Sequence, residues 1–229
     1  MARLARFVLP GIPHHVTQRG NGRQQTFFDG SDYAAYRDLL RHHCAAHGVA
    51  VWSWVLMPNH VHLILVPEHA DALRAALSKV HRAYAGRIHA REKRTGHFWQ
   101  GRFGCVALDE PHLFAALRYV ALNPVRARLV ARAQDWSWSS VHALLDPQRS
   151  DGLTETAPVL ERVPNFADLM QSGEDEARSS DLRKSESTGR PLGDTAFLDR
   201  VATLLGRDPK PGKRGPKKRQ EGELSALPP

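Results

Sequence analysis

Val49-Ala50-Val51-Trp52-Ser53-Trp54-Val55-Leu56 and His60-Val61-His62-Leu63-Ile64-Leu65-Val66 are two β-rich runs separated by Met57-Pro58-Asn59. The proline and asparagine of the separator suit a short turn, so the simplest reading is an antiparallel hairpin. Upstream, His14-His15-Val16-Thr17-Gln18-Arg19 is a further β-compatible run, bounded by Pro13 and by Gly20-Asn21-Gly22. Between it and the hairpin, Tyr33, Tyr36, Leu39, Leu40 and His43 recur at helical spacing, with Ser31 or Asp32 as candidate N-cap and Gly48 as the stop.

Downstream, Ala70–Arg91 predicts an amphipathic helix with Leu73, Leu77, Val80, Tyr84 and Ile88 on one stripe and a basic outer face. Phe103–Leu108 reads as a fourth strand. Glu110-Pro111 then opens a helix through Leu113, Leu117, Val120 and Ala121, which Asn123-Pro124 stops or bends. The order β-α-β-β-α-β followed by α predicts an α+β, ferredoxin-like split βαβ fold: one antiparallel sheet with helices on one face.

The pattern assigns residues 1–145 to one domain. Residues 146–190 read as a partly disordered linker, because 164–189 is Ser/Glu/Asp-rich and holds few large apolar residues to offset its ordering entropy. Residues 191–229 read as a short helix, Thr195–Leu205 closed by Gly206, and a basic tail.

Lys and Arg total 32 against 24 Asp and Glu in 229 residues, a net charge of +8 that favours a polyanionic partner without proving one. Cys44 and Cys105 are far apart and outside any C-x-x-C pair, which argues against a disulfide framework and for small buried hydrophobes. The apolar stretch near the N-terminus is too short for a membrane span or a signal-peptide core, so the expected location is cytoplasmic. The chain has no P-loop and no G-x-G-x-x-G, so no nucleotide cofactor is expected.

His60 and His62 stand at i and i+2 of a strand, so both imidazoles point to one side of the sheet and form half a metal site. Tyr119 and Asn123 stand at i and i+4 of a helix, one turn apart on one face. If that face meets the histidine side of the sheet, the Asn123 carbonyl can be a third ligand and Tyr119 can reach a metal-bound phosphate. Taken singly, each has a plainer reading: satisfied strand histidines, a half-buried tyrosine, a helix stop before Pro124.

Together these residues carry a resemblance. Pro58-Asn59-His60-Val61-His62-Leu63-Ile64-Leu65 resembles the HUH segment of the single-tyrosine transposases. Phe98-Trp99-Gln100-Gly101-Arg102-Phe103 and Arg118-Tyr119-Val120-Ala121-Leu122-Asn123-Pro124-Val125-Arg126-Ala127 resemble the branch known as REP-associated tyrosine transposases. The resemblance covers about residues 10–145 and, through Gly189-Arg190-Pro191-Leu192-Gly193, faintly includes the tail. It implies cleavage and rejoining of single-stranded DNA beside hairpin repeats through a 5′-phosphotyrosine on Tyr119. It also implies His60 and His62 as metal ligands, with Asn123 where relatives have a glutamine ligand. Imidazoles alone would also suit zinc, but an oxygen ligand and a phosphate substrate favour Mg²⁺ or Mn²⁺.

Stacking and backbone contacts with a hairpin or its flanking strand are expected from Phe98, Trp99 and Phe103 among Arg82, Arg94 and Arg102, with Lys213 and Arg214 of the tail as further contacts. The chain could act as monomer or homodimer. Three other readings compete: a catalytically quiet hairpin-binding protein of the same fold, a metal-free phosphoesterase using His15-Val16-Thr17, for which no second H-x-T is present, and a structural zinc site at His42, His43, Cys44 and His47.

Overall fold

The computed structural model describes residues 5–173 and 175–210. The elements run β1 (His14–Arg19), α1 (Gly30–Ala46), β2 (Val49–Met57), β3 (His60–Pro67), α2 (Ala72–Glu92), β4 (Gly104–Ala107) and α3 (Glu110–Arg126). The four strands form one sheet in the order β2-β3-β1-β4, with every adjacent pair antiparallel. This is the expected split βαβ arrangement: β3 lies between the two strands that α1 connects.

Strand alternation sorts the side chains onto two apolar faces. Val16, Val61, Leu63 and Leu65 meet Tyr36 and Leu40 of α1 and Leu73, Leu77, Val80 and Tyr84 of α2. Val55, Met57, Ile64 and Val106 point the other way and are covered by Leu113, Leu117 and Val120 of α3. The expectation of helices on one face is corrected on this point. The sheet is apolar on both sides, and α3, which follows the βαββαβ unit, covers the second.

Local chemistry explains the helix ends. The Asp29 side chain accepts from the Ser31 and Asp32 backbone N–H groups and caps α1, so the cap lies two residues upstream of Ser31. Asp109 caps α3 by accepting from His112 N–H, with Pro111 in the first turn. Pro124 lies inside α3, which continues to Arg126, so the proline does not stop the helix.

Beyond α3 come α4 (Val141–Leu145), α5 (Ala157–Arg162), α6 (Phe166–Gln171), α7 (Glu176–Thr188) and α8 (Thr195–Leu205). The segment read as a linker is therefore largely helical. Val159, Phe166 and Leu182 join the α3-side core, and Ser179 and Ser185 are small enough to bury against it. A preformed apolar surface lets a few anchors order a segment too polar to make a core of its own. After α7, Leu192 N–H donates to the Ala107 carbonyl and Asp109 N–H to the Leu192 carbonyl, so the chain covers the outer edge of β4. Phe197 and Val201 of α8 then pack with Phe7, Leu9 and Ala107.

Candidate active site

His60 and His62 lie on the face of β3 that α3 covers. Register places Arg19 opposite His60 and Thr17 opposite His62, with His15 one diagonal step away on the same face. That diagonal becomes a contact: His15 Nε2 and His62 Nδ1 share a hydrogen bond of 3.0 Å. The Tyr119 ring stands edge-on to His62 with centroids 5.3 Å apart, and 6.1 Å from His15. The His60 and His62 rings are 4.9 Å apart. Histidine pair and tyrosine, 57 residues apart between positions 62 and 119, thus meet on one side of the sheet within one chain.

Each histidine is oriented by its Nδ1. His60 Nδ1 lies 2.6 Å from Asn59 Oδ1, and Asn59 Nδ2 donates to the Arg23 carbonyl, which fixes the amide orientation and makes His60 Nδ1 the donor. His60 Nε2 therefore keeps its lone pair. His62 Nε2 is buried and, among the described residues, has no hydrogen-bond partner. Burial lowers the pKa of His60 and of His15 to about 4 and puts His62 well below its ordinary value, where neighbouring His15, His60 and Arg19 depress it further. These rings are neutral at pH 7, the state in which imidazole binds a metal ion.

Tyr119 is half-buried, and burial, then the charge of Glu186, raises its pKa above the usual phenol value. Arg126 and Arg183 oppose that rise, as does a hydrogen bond with the Asn123 side chain. The Arg126 guanidinium lies 5.2 Å from the ring centroid. Asn123 is buried, and its hydrogen bond with Tyr119 shows that the helix turn expected to carry both residues brings amide and phenol together.

Sequence reasoning missed two residues of the site. His15 was read only as part of an H-x-T run. Glu186 lies in the supposed linker, yet its Oε1 is 3.9 Å from His62 Nδ1, and donor atoms of His15, His62 and Glu186 all lie within 4.8 Å of one another. With His62 neutral this approach is not an ion pair. Burial raises the Glu186 pKa to about 7 against the opposing Arg19 and Arg183.

A cleft of about 770 Å³ opens beside the site, lined by His60, His62, Glu186 and five arginines: Arg6, Arg19, Arg102, Arg183 and Arg190. Of the expected DNA contacts, Arg102 is exposed on this cleft. Arg82 is exposed on α2 and Arg94 just past its end, outside the cleft lining. Phe98 and Phe103 are 6% and 7% exposed and belong to the α2-side core, so their rings present packing surface rather than a stacking face. Half-buried Trp99 donates from Nε1 to the His81 carbonyl. Residues 98–100 fold back on the end of β1, where Asn21 N–H donates to Phe98 and Gln100 N–H to Arg19. Arg6 lies over the Phe103 ring at 3.6 Å and donates to the Phe103 carbonyl. Lys213 and Arg214 lie outside the described residues. Cys44 is in the core, with its thiol pushed up to about 12 by burial, which removes it as an easy zinc ligand. Among the described residues, no helix is long and apolar enough to cross a membrane.

Fold and site together define an α+β ferredoxin-like domain with a strand H-x-H pair facing a helix tyrosine. Residues 10–123 match the family described as Transposase IS200 like, and through this segment the chain belongs to that family. The fold is similar to a solved REP-associated tyrosine transposase bound to a REP hairpin, with TM-score 0.56 and 22% identity over 68% of this chain and 90% of that one. A putative transposase from Deinococcus radiodurans aligns with TM-score 0.37 and 19% identity over 56% of this chain and 92% of that one. No curated protein matches the chain.

Proposed function

We propose that this chain is a transposase that cleaves and rejoins single-stranded DNA beside hairpin repeats, with Tyr119 as nucleophile. The observation that carries the reading is the 5.3 Å approach of the Tyr119 and His62 rings on one side of the sheet. Family membership supports it, and so does the hairpin named with the structural neighbour.

In this reading His60 and His62 hold Mg²⁺ or Mn²⁺, with the Asn123 amide oxygen as a further ligand. The donor set fits a cation: among the described residues the buried His62 Nε2 lacks a hydrogen-bond partner, and the His60 tautomer leaves a lone pair on Nε2. When bound, the ion supplies Lewis-acid polarisation of the scissile phosphate. His15 holds the His62 ring through its Nδ1, the task such partners perform in histidine metal sites.

Tyr119 Oη forms a bond to phosphorus as the bond from phosphorus to the 3′ oxygen breaks. The phenol proton passes to water, and the departing oxygen takes one from water and becomes a 3′-hydroxyl. The reverse attack by a 3′-hydroxyl restores the phosphodiester and returns the phenol, so the bond energy is kept in the tyrosyl ester and no nucleotide cofactor is needed. Hydrogen bonding with Asn123 and the nearby Arg126 favour the phenolate as it attacks. The arginine cleft takes the backbone of the flanking strand. Since the histidines and Tyr119 come from one chain, a monomer suffices for the chemistry, and a homodimer would carry two complete sites. The location that suits such work on DNA is the cytoplasm.

The test is cleavage of an end-labelled hairpin oligonucleotide with a single-stranded flank. Cutting in Mn²⁺ that disappears in EDTA and in His62→Ala supports the reading. Cutting that persists in both removes the metal from it.

A further inference from the structure

Glu186 stands outside residues 10–123 and outside every motif in the sequence, but the fold delivers its carboxylate to the histidines. The delivery is built in. At Gly104 a Cβ would stand 2.6 Å from Thr17 Oγ1 and 3.4 Å from the Glu186 carbonyl, so the last turn of α7 lies against β4 where only glycine leaves room. Gly189 then ends α7 in the left-handed conformation at φ 64°, and the chain turns onto the β4 edge.

Helix stability does not account for a glutamate there. Glu186 lies in the final turn of α7, the negative end of the helix dipole, where a carboxylate is disfavoured. Its Oε1 is buried without a hydrogen-bond partner among the described residues, a costly state for an acceptor. That oxygen lies 3.9 Å from Nδ1 of His62, and the other nitrogen of the same ring, Nε2, is likewise buried and, among the described residues, unpartnered. His60, His62 and Glu186 line one cleft, and a cation taken up there by Nε2 and the carboxylate would satisfy both atoms and oppose the dipole.

We propose that Glu186 is a carboxylate ligand of the divalent cation assigned to His60 and His62, which makes α7 part of the catalytic centre. The proposal rests on the metal reading given above. With two imidazoles, the Asn123 oxygen and one carboxylate, the protein fills four of the roughly six positions such an ion takes and leaves two for a phosphate oxygen and water. The carboxylate also halves the net charge of the bound site, which otherwise has only neutral protein ligands. A hard oxygen of this kind favours Mg²⁺ or Mn²⁺ over softer ions.

The test is Mn²⁺ binding to the full chain by titration calorimetry and by the loss of the free-ion EPR signal. The set comprises the parent, Glu186→Gln, Glu186→Asp and His62→Ala, with hairpin binding in EDTA and thermal melting as controls for folding. Glu186→Gln is expected to weaken Mn²⁺ at least tenfold while still binding hairpin in EDTA, and Glu186→Asp is expected to recover part of the loss. Parental Mn²⁺ affinity in Glu186→Gln, beside loss in His62→Ala, would overturn the role of Glu186 and leave the histidine site standing. Failure of the parent to bind Mn²⁺ would overturn both.

Discussion

Replacing His15 with phenylalanine tests how the histidine site is held. His15 is buried, and within hydrogen-bond distance its Nε2 meets, among the described residues, only His62 Nδ1, at 3.0 Å. Phenylalanine keeps the ring and the volume, so little cavity forms, but His62 Nδ1 loses its partner. Leaving that buried atom unpaired costs about 1–3 kcal/mol of stability. It also frees the His62 ring to turn. Loss of such an orienting partner weakens metal binding about 10–100-fold, or about 1.4–2.7 kcal/mol. Urea unfolding without metal reads the first quantity, and Mn²⁺ titration of the folded variant reads the second. His15→Gln, which offers an amide to the same nitrogen, should recover much of both. A His15→Phe protein with parental Mn²⁺ affinity would refute the idea that His15 positions His62, whatever its stability.

Three further outcomes follow from the same geometry. His14 and His81 are buried, with pKa values lowered by burial to about 4 and about 3 from 6.5, so the unfolded chain takes up their protons first as pH falls. Stability present above pH 6.5 should drop by about 3 kcal/mol per histidine by about pH 4.5, and His81→Gln should lose that share of the acid sensitivity in urea titrations; an unchanged slope would contradict it. Because burial and Glu186 raise the Tyr119 pKa, the cleavage rate should climb about tenfold per pH unit from about pH 6.5 to 8.5, and a plateau below about pH 8 would argue against a rate set by the phenol. Arg19→Ala and Arg102→Ala should each reduce the slope of log affinity for single-stranded DNA against log salt by about 0.7, and an unchanged slope would place the strand outside the cleft.

Much of the fold was legible because its signals are local. Alternating apolar residues, a Pro-Asn turn and two helical stripes give the order βαββαβ, and sheet alternation puts His60 and His62 on one side. The helix at Thr195–Leu205 was legible for the same reason, with Gly206 as its stop. Which face α3 would cover was not legible, since β2 and β3 are apolar on both sides and periodicity alone does not choose between them. Glu186 was hidden for another reason: α7 has Leu182 as its one large buried anchor, with Ser179 and Ser185 beside it, so its order comes from the surface it lies on. Phe98 and Phe103 look like stacking residues because they alternate with basic ones. Only the return of residues 98–100 onto β1 shows that their rings belong to the core.

The central claim is that Tyr119 attacks a phosphate presented to the histidine pair. Incubation with a hairpin oligonucleotide and Mn²⁺, denaturation, proteolysis and mass spectrometry of the nucleotide-bearing peptide test it most directly. The account predicts a 5′-phosphodeoxynucleotide on the peptide containing Tyr119 and none with Tyr119→Phe. An adduct on any other residue, or cleavage by Tyr119→Phe at the parental rate, would contradict it.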